Sequence, residues 1–279
     1  MFLINGQNKT HIDVIDRGFQ YGDGLFETIE IFNRKPVFLD FHLKRLATGC
    51  DRLLIPCPAA PILAAEANQL SRQAPEQGRA VLKIIITRGC GGRGYQQPEN
   101  ISPTRVLSLH PFPEYPVHFW SEGVNARLCK TRLAINPLLA GLKHLNRLEQ
   151  VLARAEWKDS SIQEGIMLNT QDIVVEGTMS NLFYIKNSII HTSGLQQCGI
   201  AGIMRDIIIK LINLNGFSLL EHDFSSQALF AADEVFICNS LIGIWPVKQI
   251  DGQRYAIGSI TKKIQGLLNR YHADALQAD

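Results

Sequence analysis

The sequence has no paired-cysteine motif, no metal-binding histidine spacing, no excess of either charge and no long apolar run. Its six cysteines (Cys50, Cys57, Cys90, Cys129, Cys198 and Cys238) are scattered without a CxxC pair. In a chain of this length they read as reduced, mostly buried thiols rather than as a disulfide or zinc framework. The eight histidines include no HExxH spacing, so no metal is expected. A formal net charge of +2 gives no surface field for nucleic acid or an anionic membrane, and any bound anion must be captured locally. No apolar stretch approaches the roughly 18 residues of a membrane span. The opening MFLINGQNKTHIDV turns polar after four residues, without the apolar core of a secretory signal. The expected location is therefore the cytoplasm, and the expected partner a small molecule.

What is present is a chain of 279 residues, long enough for about two domains at roughly 150 residues each. With 46% hydrophobic against 19% charged residues, each half has apolar material for its own core. Residues 25–32 (LFETIEIF) alternate as a strand, with residues 36–39 as a possible hairpin return. Residues 41–54 switch to helical spacing, with Leu43, Leu46, Cys50 and Leu53 on one face, and a second helix is expected over 61–72. Residues 80–87 and 105–110 read as strands flanking a glycine-rich turn. The three prolines of HPFPEYPVHFW, residues 110–120, break every period. This predicts a smaller first domain over 1–115, a linker over 110–120 and a larger second domain over 121–279. In the second, a strand near 124–130 leads to a helix over 139–157. Strands follow near 165–168, 172–176, 181–185, 188–192, 234–238 and 243–247, with helices over 202–214 and 260–271. The fold class is α+β, in two domains.

Gly89-Cys90-Gly91-Gly92-Arg93-Gly94 matches GxGxxG after a strand, but a dinucleotide site needs a helix opening at the last glycine and an acidic residue about 20 positions on. The continuation YQQPENISPT, with Pro98 and Pro103, is loop chemistry, so the segment reads as a flexible loop presenting Arg93. Four other features suggest chemistry. Lys143, in AGLKHLNRLEQVLARAEW, borders the stripe Leu142, Leu145, Leu148 and Val151. A lysine there is ordinarily a snorkelling surface residue, and a nucleophile or base only if desolvated. Glu176 ends the apolar strand DIVVEG and by itself could be a solvent-facing carboxylate. In CGIAGIMRD, residues 198–206, Gly199 and Gly202 precede a helix whose free amides could bind an anion, although an ordinary glycine-led helix start looks the same. Arg45, on HLKRL, could fork onto a phosphate or stand in solvent.

Taken together and in order, QYGDGLFET (20–28), HLKRL (42–46), TRGCGGRGY (87–95), GLKHLNRLEQV (141–151), VEGTMSNLF (175–183) and GIAGIMR (199–205) resemble the fold-type IV pyridoxal-phosphate enzymes. That family includes the branched-chain and D-amino-acid aminotransferases. The resemblance runs collinearly over nearly the whole chain and implies the fold: a D-amino-acid aminotransferase-like, two-domain α+β enzyme. It also implies a pyridoxal 5'-phosphate cofactor held covalently by Lys143, which serves as general base and acid. Glu176 would face the pyridine nitrogen, Arg45, Ser240 and the backbone of Gly202, Ile203 and Met204 would hold the phosphate, and Ile200 would pack on the ring. D-amino-acid aminotransferases trap the substrate carboxylate with a tyrosine, an arginine and a histidine. The matching positions here are Phe26, Arg93 and Tyr95, so the arginine survives while the other two groups have changed. KHLNRLEQV, GGRGY and MFLING are most similar to a lyase branch of the family. The implied reaction is conversion of 4-amino-4-deoxychorismate to 4-aminobenzoate and pyruvate, in folate biosynthesis. A branched-chain or D-amino-acid aminotransferase is the alternative, and a non-catalytic binding protein on the same fold the second. Family members are homodimers, so a homodimer is implied as well.

Overall fold

The structure, a computed structural model, describes residues 1–277 and consists of two compact units. The first comprises residues 1–113 and 143–146 with the chain from Ala275; the second comprises residues 114–142 and 147–274.

The first unit contains, in order, β1 (Phe2–Ile4), α1 (Arg17–Tyr21), β2 (Gly24–Phe32), β3 (Lys35–Pro36), α2 (Leu39–Leu53), α3 (Ala60–Ser71), β4 (Arg79–Thr87) and β5 (Thr104–Pro111). Its five strands form an antiparallel sheet in the order β1-β5-β4-β2-β3. Alternating β-branched residues make the long β2–β4–β5 ladder, and Ile29, Ile31, Ile84 and Ile86 are fully buried at its centre. α2 lays His42, Leu43, Leu46, Gly49 and Cys50, spaced at three to four residues, against the core. α1 is short and well bounded: the Asp16 carboxylate accepts the Gly18 N–H at its start, and Gly22, at φ +65°, closes it in the left-handed region. The expected hairpin return of β2 is only the two residues of β3, which leaves the Gly24–Phe26 end of that edge to another partner.

The second unit contains α4 (His118–Ser121), β6 (Val124–Leu133), α5 (Leu148–Arg154), β7 (Glu164–Asn169), β8 (Val174–Gly177), β9 (Asn181–Lys186), β10 (Ile189–Thr192), α6 (Ile203–Leu214), β11 (Leu219–Glu221), α7 (Ser226–Phe230), β12 (Glu234–Asn239), β13 (Gly243–Ile250), β14 (Gln253–Arg254) and α8 (Ser259–Gln277). Its strands run β11-β10-β9-β12-β13-β6-β7-β8, with β14 on β13. The pairs β10–β11, β13–β6 and β6–β7 are parallel and the others antiparallel. β7, β8 and most of β9 are buried at every position, so they read in sequence as continuous apolar runs rather than alternations.

One expectation fails. The helix over 139–157 exists only as α5, and Leu148 and Val151, placed on its buried stripe, are 75% and 60% exposed. The segment before α5 is a turn followed by isolated bridges, and Lys143–Asn146 belong with the first unit rather than the second. The proline-rich stretch 110–120 contains the change of unit and also supplies core residues. The change of unit falls at Pro113, and Tyr115, Phe119 and Trp120 set their rings edge-on to Trp245 at 4.8, 5.2 and 5.6 Å. Among the described residues, no helix is long and apolar enough to cross a membrane.

Trp245 is 1% exposed at the centre of that aromatic group. Trp245→Ala should destabilise the chain by about 3–5 kcal/mol, read as a lower denaturant midpoint in an unfolding titration. A loss below about 1 kcal/mol would mean that the rings do not anchor the stretch.

Candidate active site

The candidate residues lie in both units, and the geometry of each set is that of its own unit. In the first, Lys143 sits on the edge of β2 that β3 leaves open. The Phe26 N–H donates to the Lys143 carbonyl at 3.0 Å and the Leu145 N–H to the Gly24 carbonyl at 3.0 Å. Asn146 Nδ2 donates to the Gly22 carbonyl at 3.0 Å. The lysine is thus held by an isolated bridge to β2, not as a helix residue. Its Nζ stands 4.2 Å from the centroid of the Phe26 ring, which gives the amine an apolar floor. This brings together two of the expected residues, Lys143 and Phe26.

Arg45 lies on α2, where its guanidinium clasps Glu27 of β2. Nε donates to Oε1 at 2.8 Å and Nη2 to Oε2 at 2.5 Å. His42 Nδ1 meets the same Oε2 at 2.6 Å. Burial alone would raise the Glu27 carboxyl, but the Arg45 charge and the hydrogen bonds from His42 and Arg45 outweigh it and hold the group at about 2. Burial, in turn, depresses His42 although Glu27 opposes it, so the ring is neutral at pH 7 and donates its Nδ1–H. Glu27 and His42 escaped sequence reading. The only available signal was a glutamate in the middle of an apolar strand.

Arg93 and Tyr95 stand on an exposed loop. Tyr95 is 88% exposed and makes its ring contact with Tyr21 at 5.6 Å, not with Phe26. The loop is organised from below by Arg17, whose Nη1 donates to the carbonyls of Gly91, Gly94 and Gln96 at 3.4, 3.0 and 3.3 Å. Gly89, at φ +85°, has no room for a side chain: a Cβ would lie 2.0 Å from the Ser102 carbonyl oxygen. Arg17 thus ties the segment that carries these two residues to α1.

In the second unit, Glu176 on β8 is 3% exposed, and its Oε2 accepts the Ile200 N–H at 2.8 Å. Arg147, a half-buried guanidinium, has its basicity lowered by burial and partly restored by the charges of Glu176 and Glu149. The loop from Gly199 to Gly202 is pinned on three sides. Gly141 N–H donates to the Gly199 carbonyl at 2.9 Å and Ala201 N–H to the Gly141 carbonyl at 3.1 Å. Asn181 Nδ2 donates to the Ile200 carbonyl at 2.8 Å. A Cβ on Gly202 would lie 2.0 Å from Asn181 Oδ1, so only glycine fits there. α6 then starts at Ile203 with no side-chain cap. The first-turn amides of Ile203 and Met204 have no intrahelical acceptor and, with the helix dipole, can receive a phosphate. Ser240 is half-buried in the turn after β12. Asn239 builds that turn by accepting the Leu241 and Ile242 N–H groups and donating to the Met179 carbonyl. A further residue unseen in sequence, Glu164, gathers Gly165 N–H, Thr178 N–H and Oγ1, Met179 N–H and Ser180 Oγ, and so shapes the turn that follows Glu176.

A lysine amine over an aromatic floor can hold an aldehyde, a buried carboxylate can face a pyridinium nitrogen, and uncapped helix amides can hold a phosphate; pyridoxal phosphate carries all three groups. The class so defined is the fold-type IV pyridoxal-phosphate enzymes. The chain belongs to the amino-transferase class IV family, whose pattern it matches over residues 24–250. It is 39% identical to an aminodeoxychorismate lyase of Vibrio harveyi, over 96% of this chain and all of that one. Its fold is similar to the crystal structure of 4-amino-4-deoxychorismate lyase from Pseudomonas aeruginosa, at a TM-score of 0.92 and 44% identity over 97% of this chain and 98% of that one. It is similar as well to the branched-chain amino acid aminotransferase of Escherichia coli, at a TM-score of 0.87 and 26% identity over 97% and 94% of the two chains.

The depressed Glu27 carboxyl has a pH signature. A group held at about 2 instead of 4.5 contributes stability that is full above the ordinary carboxylate range and is lost as pH falls towards 2, worth about 3 kcal/mol. Chemical unfolding at pH 7 should show Glu27→Gln well below the parent chain, and the gap should narrow steadily as the pH is lowered to 3. A gap independent of pH would contradict the ionised clasp.

Proposed function

We propose that this chain is a pyridoxal-phosphate-dependent carbon–oxygen lyase that converts 4-amino-4-deoxychorismate to 4-aminobenzoate and pyruvate. The observation that carries the reading is the full-length similarity to aminodeoxychorismate lyases, 39% and 44% identical, joined to a lysine held on the β2 edge. The cofactor, when bound, supplies an electron-withdrawing ring that stabilises negative charge on the carbon next to the substrate nitrogen. Lys143 Nζ would hold the cofactor and, as a free amine, would take the proton from the carbon that bears the substrate nitrogen. Glu176, oriented by the Ile200 amide, would face the pyridine nitrogen and hold its proton. Arg45, Ser240 and the amides of Ile203 and Met204 fix the phosphate, and Ile200 packs on the ring. Arg93 takes a substrate carboxylate, with Tyr95 and Phe26 as the other substrate contacts. The carbon–oxygen bond to the enolpyruvyl group breaks, the six-membered ring becomes aromatic, and no acceptor is consumed. Aromatisation drives the reaction, so the protein mainly orients the substrate and stabilises charge.

The chain acts as a homodimer in this reading. Support comes from apolar side chains of the second unit that stand in solvent in a single copy: Leu138 at 83%, Leu148 at 75%, Val151 at 60% and Leu152 at 61% exposed. The six cysteines are all unpaired thiols, in keeping with a reducing cytoplasm.

The test supplies aminodeoxychorismate with no keto acid and measures both products. Equal amounts of 4-aminobenzoate and pyruvate are expected, together with complete loss of both in Lys143→Ala. Turnover that requires an α-keto acid acceptor would instead make the chain an aminotransferase. For the dimer, Val151→Glu should halve the mass seen by light scattering; an unchanged mass would move the interface elsewhere.

A further inference from the structure

The segment that presents Arg93 and Tyr95 has little shape of its own. Gly91, Gly92 and Gly94 stand at φ +111°, +77° and +56°, a region that glycine enters and leaves freely. Arg93 and Tyr95 are both exposed, so neither side chain is fixed by a core. The three carbonyls that Arg17 Nη1 reaches, those of Gly91, Gly94 and Gln96, bracket both residues. A Cβ on Gly92 would lie 2.3 Å from the Gln96 carbonyl oxygen and 3.2 Å from Arg17 Nη1, so the backbone is drawn close over the arginine at that point. The same guanidinium stands 5.0 Å from the centroid of the Tyr21 ring, the ring that meets Tyr95.

Arg17 can shape the segment because it is itself held in place. Its side chain and that of Arg88 are each 5% exposed, and one carboxylate serves both. Asp23 accepts Arg17 Nε at 3.0 Å and, as a two-toothed fork, Arg88 Nε at 2.8 Å and Nη2 at 3.0 Å. Burial alone would raise the Asp23 carboxyl, but the hydrogen bonds and charges of Arg88 and Arg17 outweigh it and hold the group below the ordinary range. Arg88 is fixed in turn at the end of α2, where the Leu54 carbonyl accepts Nη1 at 2.8 Å and the Leu53 carbonyl accepts Nη2 at 2.7 Å. Two guanidinium groups sharing one carboxylate away from water are a poor source of net stability, since desolvation offsets their attraction. Their distinctive effect is to fix an orientation. We infer that Arg17 is a positioning residue for the substrate: seated on Asp23 beside Arg88, it shapes the segment that presents Arg93, and so sets substrate affinity without entering the bond-breaking step.

This inference rests on the substrate role proposed for Arg93, and the experiment separates the two. In Arg17→Lys one nitrogen replaces a guanidinium that faces Asp23 with Nε and the segment with Nη1. Assayed as the holoenzyme, it should raise KM for aminodeoxychorismate about tenfold and leave kcat within about twofold, because only substrate placement is disturbed. Arg93→Ala should raise KM as well, and adding Arg17→Lys to it should change KM by less than about twofold, since the two act as one unit. Trypsin supplies a readout independent of turnover. Cleavage after Arg93, relative to cleavage after the exposed Lys158 of the second unit, should rise about fivefold in Arg17→Lys. Where Arg17→Lys fails to fold, Gly92→Ala disturbs the segment from its exposed side, leaves the buried arginines in place and should give the same rise in KM. An unchanged KM in Arg17→Lys and Gly92→Ala, beside a raised one in Arg93→Ala, would overturn the positioning role and leave the role of Arg93 standing. Additive effects in the double variant, or an unchanged cleavage ratio, would overturn it too. An unchanged KM in Arg93→Ala would remove that residue from the substrate and the inference with it. A parent chain that forms no product would overturn the lyase reading itself, and the inference falls with that reading.

Discussion

The backbone pairing of Lys143 with the open edge of β2 is the constraint on which the rest of the chemistry depends. A lysine carries a long, mobile side chain, and a covalent cofactor link needs its amine in one place. Here that placement is made by main-chain hydrogen bonds, Phe26 N–H to Lys143 C=O and Leu145 N–H to Gly24 C=O. These remain possible only because β3 stops after two residues. Asn146 secures the far end of the strip on Gly22, the glycine that also closes α1 in the left-handed region. The Lys143 amine is thereby set over the Phe26 ring.

Charge is handled by the same economy of exact partners. The chain has a net charge of only +2, and its functional carboxylates and cations are buried in small, fully engaged groups. Glu27 takes Arg45 and His42, and Glu164 takes five donors around the turn after Glu176. Glu176 takes the Ile200 amide with Arg147 nearby. Each of these groups would be costly if any partner were removed, and each therefore fixes a backbone segment. The 199–202 loop shows the principle most fully. It is tied to Gly141, Asn181 and Glu176 at once, so the start of α6, where an anion can sit, inherits its position from three different strands and loops.

Particular residues show what pattern could and could not reveal. β2, β4, β5, α2 and α6 were legible because their apolar periods of two or about four residues survive in the fold. The segment 139–157 misled because Leu142, Leu145, Leu148 and Val151 have helical spacing, yet Leu142 closes a turn on Leu139, Leu145 pairs with β2 and the last two face solvent. Periodicity records which residues are apolar, not which surface they meet. In residues 110–120 the prolines marked the change of unit, but gave no sign that Tyr115, Phe119 and Trp120 pack into the core around Trp245. Lys143, Glu176 and the glycine-led start of α6 were found through their order along the chain, which matched a family. Spacing alone left each of them ambiguous.

The amino-acid sequence by itself determined the fold class and the cofactor family, because these are written in collinear motifs and local apolar periods. It placed Gly199 and Gly202 before α6, while the absence of a side-chain cap there came from the structure. Only the tertiary structure decided that Lys143 lies against the edge of β2 and that Arg45 pairs with Glu27. It alone showed that Asn181 is the reason Gly202 must lack a side chain. Those facts join residues that are distant in the chain, and hydrogen-bond geometry between distant residues leaves no period or spacing to read.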